Sequence, residues 1–304
     1  MIELFGGIKV DWLGKRKLFF SISMLLLLVG MTSVILKQFR YGLDFKGGTM
    51  VRVKFNEGID AGAIRDLLPQ ANIQSIRTPE SGGSQFQIEL EKAAENEDAS
   101  IGRETVTKAL DEAFAGKFQV IGSTSVSAKV GSDLRTQAVR ATLYALLGIL
   151  VYIAFRFEPI YGAAAVFAVF HDTLVTLGFF SLFNYEINLT VIAALLTLVG
   201  YSVNDTIVVF DRVRENLKAR RRDDLETILN DSINQTLSRT ILTSGLTFLT
   251  VMALFLFGGE IINNFAFAMV VGIIVGTYSS VAVAAPLVLI YHNARRPKVA
   301  VNRR

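Results

Sequence analysis

The 304-residue sequence has no cysteine, so disulfides and thiolate metal sites are excluded, although the compartment is not thereby identified. Only two histidines occur, His171 and His292, which leaves little for zinc chemistry. There is no HExxH or GxSxG pattern, and Gly47-Gly48-Thr49 lacks the lysine and spacing of a phosphate loop. The residues thus point to no enzyme and to no cofactor. What is abundant is apolar: 51% of residues are hydrophobic, and they are gathered in long runs. That distribution indicates a membrane protein. The formal net charge of +4 then reports basic ends of a membrane chain rather than nucleic-acid binding.

Six runs are long enough to span: 18–36, 136–155, 160–183, 189–210, 240–257 and 263–291. The first follows Lys15-Arg16-Lys17 and resembles a signal peptide. No small-x-small cleavage site follows it at Val34-Ile35-Leu36, so it is expected to be retained. Between the first two runs lies a polar block, 38–134. Val51, Val53 and Phe55 alternate with Arg52 and Lys54, and Phe86, Ile88 and Leu90 with Gln85, Gln87 and Glu89. This is the period of half-buried strands. Asp60–Leu68 and Ser100–Phe114 read as helices, the second with Ile101, Thr105, Ala109 and Ala113 along one face. Ser81-Gly82-Gly83-Ser84 reads as a hairpin turn after a strand Ile73–Arg77, and Phe118–Val126 as a last strand. The order strand, helix, strand, strand, helix, strand is that of an α+β ferredoxin-like domain. The expected fold is a polytopic α-helical membrane protein with this external domain between helices 1 and 2.

Orientation follows from lysine and arginine. They cluster in the N-terminal segment 1–17, at Arg156, in the 212–238 loop and in the 292–304 tail, all on one side of a six-span chain. The opposite connections, Asn184–Asn188 and Gly258–Ile262, carry none. Both termini are therefore expected in the cytoplasm. In the 212–238 loop, Leu225, Ile228, Leu229, Ile233 and Leu237 fall on one side of a predicted amphipathic helix, expected to lie along the membrane interface.

Polar residues inside the runs carry the functional signal. Asp205 interrupts LLTLVGYSVNDTIVVF, about 10 Å along the helix before Arg212. A charge at the centre of a spanning helix costs roughly 2.5–3.5 kcal/mol on insertion scales, so it normally faces the bundle interior or a wet cavity. Thr197, Tyr201, Asn204 and Asp205 are expected to share a face. The carboxylate is either a structural group bonded to neighbouring helices or a titrating group on a proton or cation path. In the fifth run, Arg239, Thr243, Thr247 and Thr250 form a polar stripe, with Thr240 and Ser244 beside it. Arg239 is either a snorkelling interfacial arginine or a partner of Asp205. In the third run, Asp172 is a secondary polar site, and neighbouring His171 points about 100° away. Gly272 and Gly276 give a small-xxx-small packing face.

These motifs together carry a resemblance. YGLDFKGGTMV at 41–51, HD at 171–172, VGYSVNDTIVVFDRVREN at 199–216 and SRTILTSG at 238–245 resemble the SecF-type members of the SecD/SecF family of protein-export membrane proteins, within the resistance–nodulation–division superfamily. The resemblance covers nearly the whole chain. It implies six spans with a ferredoxin-like outer domain, a bacterial inner-membrane location, and no enzymatic activity. It also implies protons as the coupling ion, and Asp205 and Arg239 as the transport pair. The implied partners are SecD, the SecYEG channel, the unfolded polypeptide in transit and membrane lipids. The function so implied is proton-driven assistance to export through SecYEG. Two other classes stay open at this stage: a small-molecule or ion exporter of the same superfamily, and a structural assembly factor that moves no protons. SAKVGSDLR at 127–135 matches the family's glycine-bearing start of span 2 only loosely.

Overall fold

The computed structural model describes residues 9–76, 84–90 and 99–295. They divide into two compact units, one running from Tyr41 to Ala141 and the other formed by the helices on either side of it in sequence.

The smaller unit is a four-stranded antiparallel sheet of β1 (Gly48–Phe55), β2 (Ala71–Ile76), β3 (Gln85–Leu90) and β4 (Phe118–Val126), with helices α1 (Ala61–Leu67) and α2 (Ala99–Phe114). The strand order β2-β3-β1-β4 with two intervening helices is the ferredoxin-like topology. Register follows the hydrophobic alternation: Val51 pairs with Ile88 and Val53 with Phe86, and all four side chains are buried. Phe55 ends β1 fully buried against Phe86, Phe114 and Phe118. A core phenylalanine of this kind contributes about 1.5–3 kcal/mol. The weakly alternating stretch at Ile73 does form β2, with Ile73 buried against the sheet. The hairpin turn expected at 81–84 and Arg77 lie outside the described residues, except Ser84.

One face was misassigned by periodicity. On α2 the core side is Val106 and Leu110, while Ile101 is 44% exposed and Thr105 faces outward. The helix is turned by one residue because Gly102 lies directly over Thr49 of β1, where any side chain would collide. The YGLDFKGG segment is also more than a turn. Leu43–Lys46 closes one helical turn before Gly48 opens β1.

The second unit holds the apolar helices, except for residues 128–141 of one of them, which fall in the smaller unit. Six helices are long and apolar enough to cross a membrane: Arg16–Lys37, Ala128–Arg156, Pro159–Leu182, Leu189–Ala219, Leu225–Phe257 and Ile261–Arg295. We number them spans 1 to 6. Spans 3, 4 and 6 form the packed centre, and spans 1, 2 and 5 are mostly exposed. Local sequence sets their starts. Pro159 opens span 3, where its missing N–H costs nothing. Asn188 caps span 4 by accepting from the Val191 amide at 3.0 Å, and Asp224 caps span 5 by accepting from Thr227 at 3.1 Å.

Span 5 corrects the expected interfacial helix. It runs unbroken through 33 residues, so the amphipathic segment is its first turns and not a separate element. The apolar stripe that suggested a membrane surface is buried in the bundle instead: Ile228, Leu229 and Ile233 are at most 1% exposed. No proline or glycine breaks the helix between 225 and 244. Span 4 likewise continues past Phe210 to Ala219, and Arg156 pairs with its Asp211.

The first turns of span 5 hold residues 10–13. Asn230 accepts from the Trp12 and Leu13 amides, each at 3.0 Å. Asn234 accepts from the Val10 amide at 3.2 Å and the Trp12 indole at 3.1 Å, and donates to the Val10 carbonyl at 2.9 Å. Asp11 accepts from the Gly14 amide and from Asn230, and these bonds hold its carboxyl below the usual range. Its contribution is therefore complete above that range and is lost as pH falls through the lowered value. Trp12 is the sole tryptophan, so it reports the clip directly. Asn234→Ala is expected to shift its fluorescence to the red at neutral pH. The wild-type chain should do the same only below the ordinary carboxylate range. Unchanged emission in Asn234→Ala would refute the clip.

Candidate functional site

The candidate site lies at mid-height among spans 3, 4, 5 and 6, and serines build most of it. Asp205 projects from span 4 and is 2% exposed. Its Oδ2 accepts from Ser244 Oγ of span 5 at 2.8 Å. The Thr277 hydroxyl of span 6 approaches the same carboxylate. That hydroxyl is buried and, among the described residues, meets no partner in hydrogen-bond geometry.

A second buried carboxylate lies one helical turn away. Asp172 of span 3 is 1% exposed. Its Oδ2 accepts from Ser202 of span 4 at 2.5 Å and from Ser279 of span 6 at 2.7 Å. Its Oδ1 lies 3.0 Å from His171 Nδ1. Spans 4 and 6 come this close because Gly272 and Gly276 offer no side chain. A Cβ at Gly272 would fall 2.3 Å from Leu198, and one at Gly276 3.1 Å from Ser202.

The expected polar faces divide. Thr197 and Asn204 are exposed, and Tyr201 is half-buried with a buried hydroxyl that has no hydrogen-bond partner among the described residues. At about 100° per residue, Asp205 stands at the edge of that face and turns inward with Leu198 and Ser202. On span 5, Arg239 and Thr243 are exposed and Thr247 is half-buried. The hydroxyls of Thr243 and Thr247 bond their own helix, to the Arg239 and Thr243 carbonyls at 3.0 and 2.9 Å. Arg239 makes no ion pair with Asp205 among the described residues, but its charge acts on that carboxylate through space. Asp205 and Ser244 are thus brought together, while the stripe containing Arg239 faces outward beside them.

The stripe that does face inward is Ser232, Thr236, Thr240 and Ser244, all at most 8% exposed. Its strict four-residue spacing was the available signal, and it was masked by the parallel threonine series one residue earlier. Ser202 and Ser279 had no such signal, since neither belongs to a polar series at helical spacing like that of span 5.

An apolar cavity of about 410 Å³ opens beside this centre, lined by Trp12, Phe19, Ile233, Phe248, Thr277 and Tyr278 among others. Ser244 is also on its wall, so the Asp205 carboxylate is one hydroxyl away from open space. A carboxylate can bind and release a proton, and a serine can pass one, because its oxygen both donates and accepts. No group of three or more His, Cys, Asp or Glu able to hold a metal occurs among the described residues.

Comparison with known proteins decides the family. The pattern of "Protein export membrane protein SecD/SecF, C-terminal" matches residues 105–294, and that of the "SecD/SecF GG Motif" matches residues 32–59. The chain belongs to the SecD/SecF family. Within that family it is 43% identical to the protein translocase subunit SecF of Calditerrivibrio nitroreducens, over 94% of this chain and 95% of that protein. It is 39% identical to SecF of Koribacter versatilis, over 97% and 94%. The crystal structure of SecDF, a translocon-associated membrane protein from Thermus thermophilus, superimposes with a TM-score of 0.83 at 35% identity. It matches 94% of this chain, which spans only 39% of the SecDF chain. A SecDF structure in a super-membrane-facing form gives 0.70 at 36% identity. The SecD/SecF relatives are named as subunits of a protein translocase, in agreement with the expectation of a transport protein and not an enzyme.

Proposed function

We propose that this chain is an accessory subunit of the Sec protein-export machinery. With a SecD partner it uses the proton-motive force to promote late translocation of polypeptide through SecYEG. It lies in the bacterial inner membrane with both termini in the cytoplasm. The observation that carries the reading is Asp205, a carboxylate buried at mid-bundle whose hydrogen-bond partner is a neutral serine. A carboxylate without a paired cation in such a place can change charge by taking up a proton. The basic residues at one end of the spans support the orientation. The exposed polar strip of Thr197, Asn204, Arg239 and Thr243 supports a partner in the membrane, because polar groups facing lipid are costly. Arg239 would then act on Asp205 from the seam between the two chains. The unmatched remainder of the longer SecDF chain is consistent with a SecD-like chain as that partner.

The test uses membrane vesicles from cells lacking the native copy, with this chain and its SecD-like partner restored. A preprotein is trapped part-way through the channel, and a proton gradient is then imposed or collapsed. Completion is expected to speed up only when the gradient and the chain are both present. Equal completion with the gradient collapsed, or with the chain omitted, overturns the reading.

A further inference from the structure

We propose that Asp172 is a second proton-carrying group of the bundle, joined to Asp205 through Ser202 and to span 6 through Ser279. This rests on Asp205 being the proton-coupling carboxylate, and it adds a site on a different span.

Asp172 sits among hydrogen-bonding groups of spans 3, 4 and 6. Its oxygens receive two hydroxyls, from Ser202 at 2.5 Å and Ser279 at 2.7 Å, and face the His171 ring nitrogen at 3.0 Å. Three spans therefore converge on one carboxyl group. No lysine or arginine is available to balance its charge. Span 1 has no acidic, basic or histidine side chain between residues 18 and 36, nor has span 5 between 240 and 257, nor span 6 between 261 and 291. Span 2 offers only tyrosines between 142 and 155. The titratable groups beside Asp172 or its serine partners are His171 on its own span, Tyr201 and Asp205 within three residues of Ser202 on span 4, and Tyr278 next to Ser279 on span 6. An unbalanced charge at this depth is expensive, which favours a group able to carry a proton there. The His171 Nε2 is buried and has no hydrogen-bond partner among the described residues.

The geometry also gives the proton a mechanical consequence. Ser202 stands three residues before Asp205, about 4.5 Å along the helix axis. The same turn of span 4 thus carries one acid and bonds the other. Ser279 is the last α-helical residue before the π-turn Ser280–Ala284, all of it buried. Such turns break the regular backbone ladder and recur at functional sites. When ionised, Asp172 only accepts hydrogen bonds. A proton on Oδ1 can be donated to His171 Nδ1 and leaves both serines in place, whereas a proton on Oδ2 has to be shared with Ser202 or Ser279, and at least one of them then has to turn. A rotation at Ser279 is delivered to the residue that adjoins the π-turn of span 6. Proton uptake at Oδ2 of Asp172 would therefore bend span 6 at 280–284, and Ser202 would carry the change to the turn holding Asp205.

The test compares Asp172→Asn, Ser202→Ala, Ser279→Ala and Asp205→Asn in the full chain with its partner. One readout is the gradient-driven completion rate and its pH midpoint. The other is the infrared carboxyl band in the difference spectrum between acid and alkaline membranes. Asp172→Asn is expected to slow completion on the order of a hundredfold, the low end for loss of a proton-transferring side chain. It should remove one carboxyl band and leave the Asp205 band in place. Ser279→Ala should shift the Asp172 band and move the pH midpoint, which a packing role alone would not do. If Asp172→Asn keeps the wild-type rate, midpoint and bands while Asp205→Asn abolishes the drive, the proposal fails and the proposed function stands. If both variants run at full rate, both fail. If Asp172→Asn does not reach the membrane, the two serine variants decide, and unchanged bands and midpoints in both overturn the proposal.

Discussion

Asp205→Asn is expected to abolish the response of export to a proton gradient while leaving the protein assembled in the membrane. Asparagine keeps the size of the side chain and one carbonyl oxygen, so Ser244 can still donate its 2.8 Å bond. What disappears is titration. The loss should be on the order of a hundredfold or more in gradient-driven rate, with the rate in a collapsed gradient unchanged. Ser244→Ala should cost less, several-fold, since it removes a donor to the carboxylate but not the carboxylate. Arg239 is exposed and contacts Asp205 only through its field, so Arg239→Lys should be milder than Arg239→Ala. The measurement is completion of a trapped preprotein as the gradient is raised. An Asp205→Asn chain that still follows the gradient at the wild-type rate would remove Asp205 from the mechanism.

The second large effect concerns how span 1 is seated. Gly30 and Gly178 bring spans 1 and 3 into backbone contact, and a Cβ at Gly178 would lie 2.6 Å from the Gly30 Cα. One turn along, Ser33 and Ser181 share a buried hydrogen bond at 3.0 Å, and Ser181 also donates to the Gln38 carbonyl at 3.2 Å. A side chain at 178 would meet backbone, which cannot swing aside as a flexible side chain would. Overpacking ordinarily costs about 1–3 kcal/mol, and an encounter with backbone belongs at the upper end or above. Gly178→Val is thus expected to push span 1 away and break the Ser33–Ser181 bond. The absence of native cysteine makes this measurable. A Ser33→Cys, Ser181→Cys chain should cross-link on oxidation, and adding Gly178→Val should lower the yield by about tenfold, the equivalent of 1.4 kcal/mol. Equal cross-linking in the two chains would show that the glycine pair is not a seat. Because span 1 leads directly into the ferredoxin-like domain, the same substitution should also impair gradient-driven export.

Both predictions rest on features that differ in how readily the sequence reveals them. The domain's strands were legible because a half-buried strand must alternate, and Val51, Val53 and Phe55 do so against Arg52 and Lys54. The spans were legible because the hydrocarbon layer demands length. Asp205 was legible because a charge in such a run is rare. The face of α2 was not, since Ala109, Ala113 and Thr105 suit either side of a short helix, and only Gly102 over Thr49 sets the rotation. The continuity of span 5 was hidden for a related reason. An amphipathic stripe looks the same whether its apolar side meets lipid or, as with Ile228 and Leu229, other helices.

By itself, then, the sequence determined six spans, an inserted ferredoxin-like domain, the family, and a carboxylate within the membrane run. The family is carried by the resemblance of its motifs; the rest follows from local periods and from the cost of placing charge in hydrocarbon, which act on each segment separately. Only the tertiary structure decided that Asp205 is bonded by Ser244 while Arg239 and its threonines face outward. It alone showed that Asp172 gathers Ser202 and Ser279 at the head of a π-turn, and that Asn230 and Asn234 hold residues 10–13. A serine in an apolar helix can bond its own carbonyl four residues back as readily as a carboxylate on another span. Which it does depends on the helix opposite, and that information is not local.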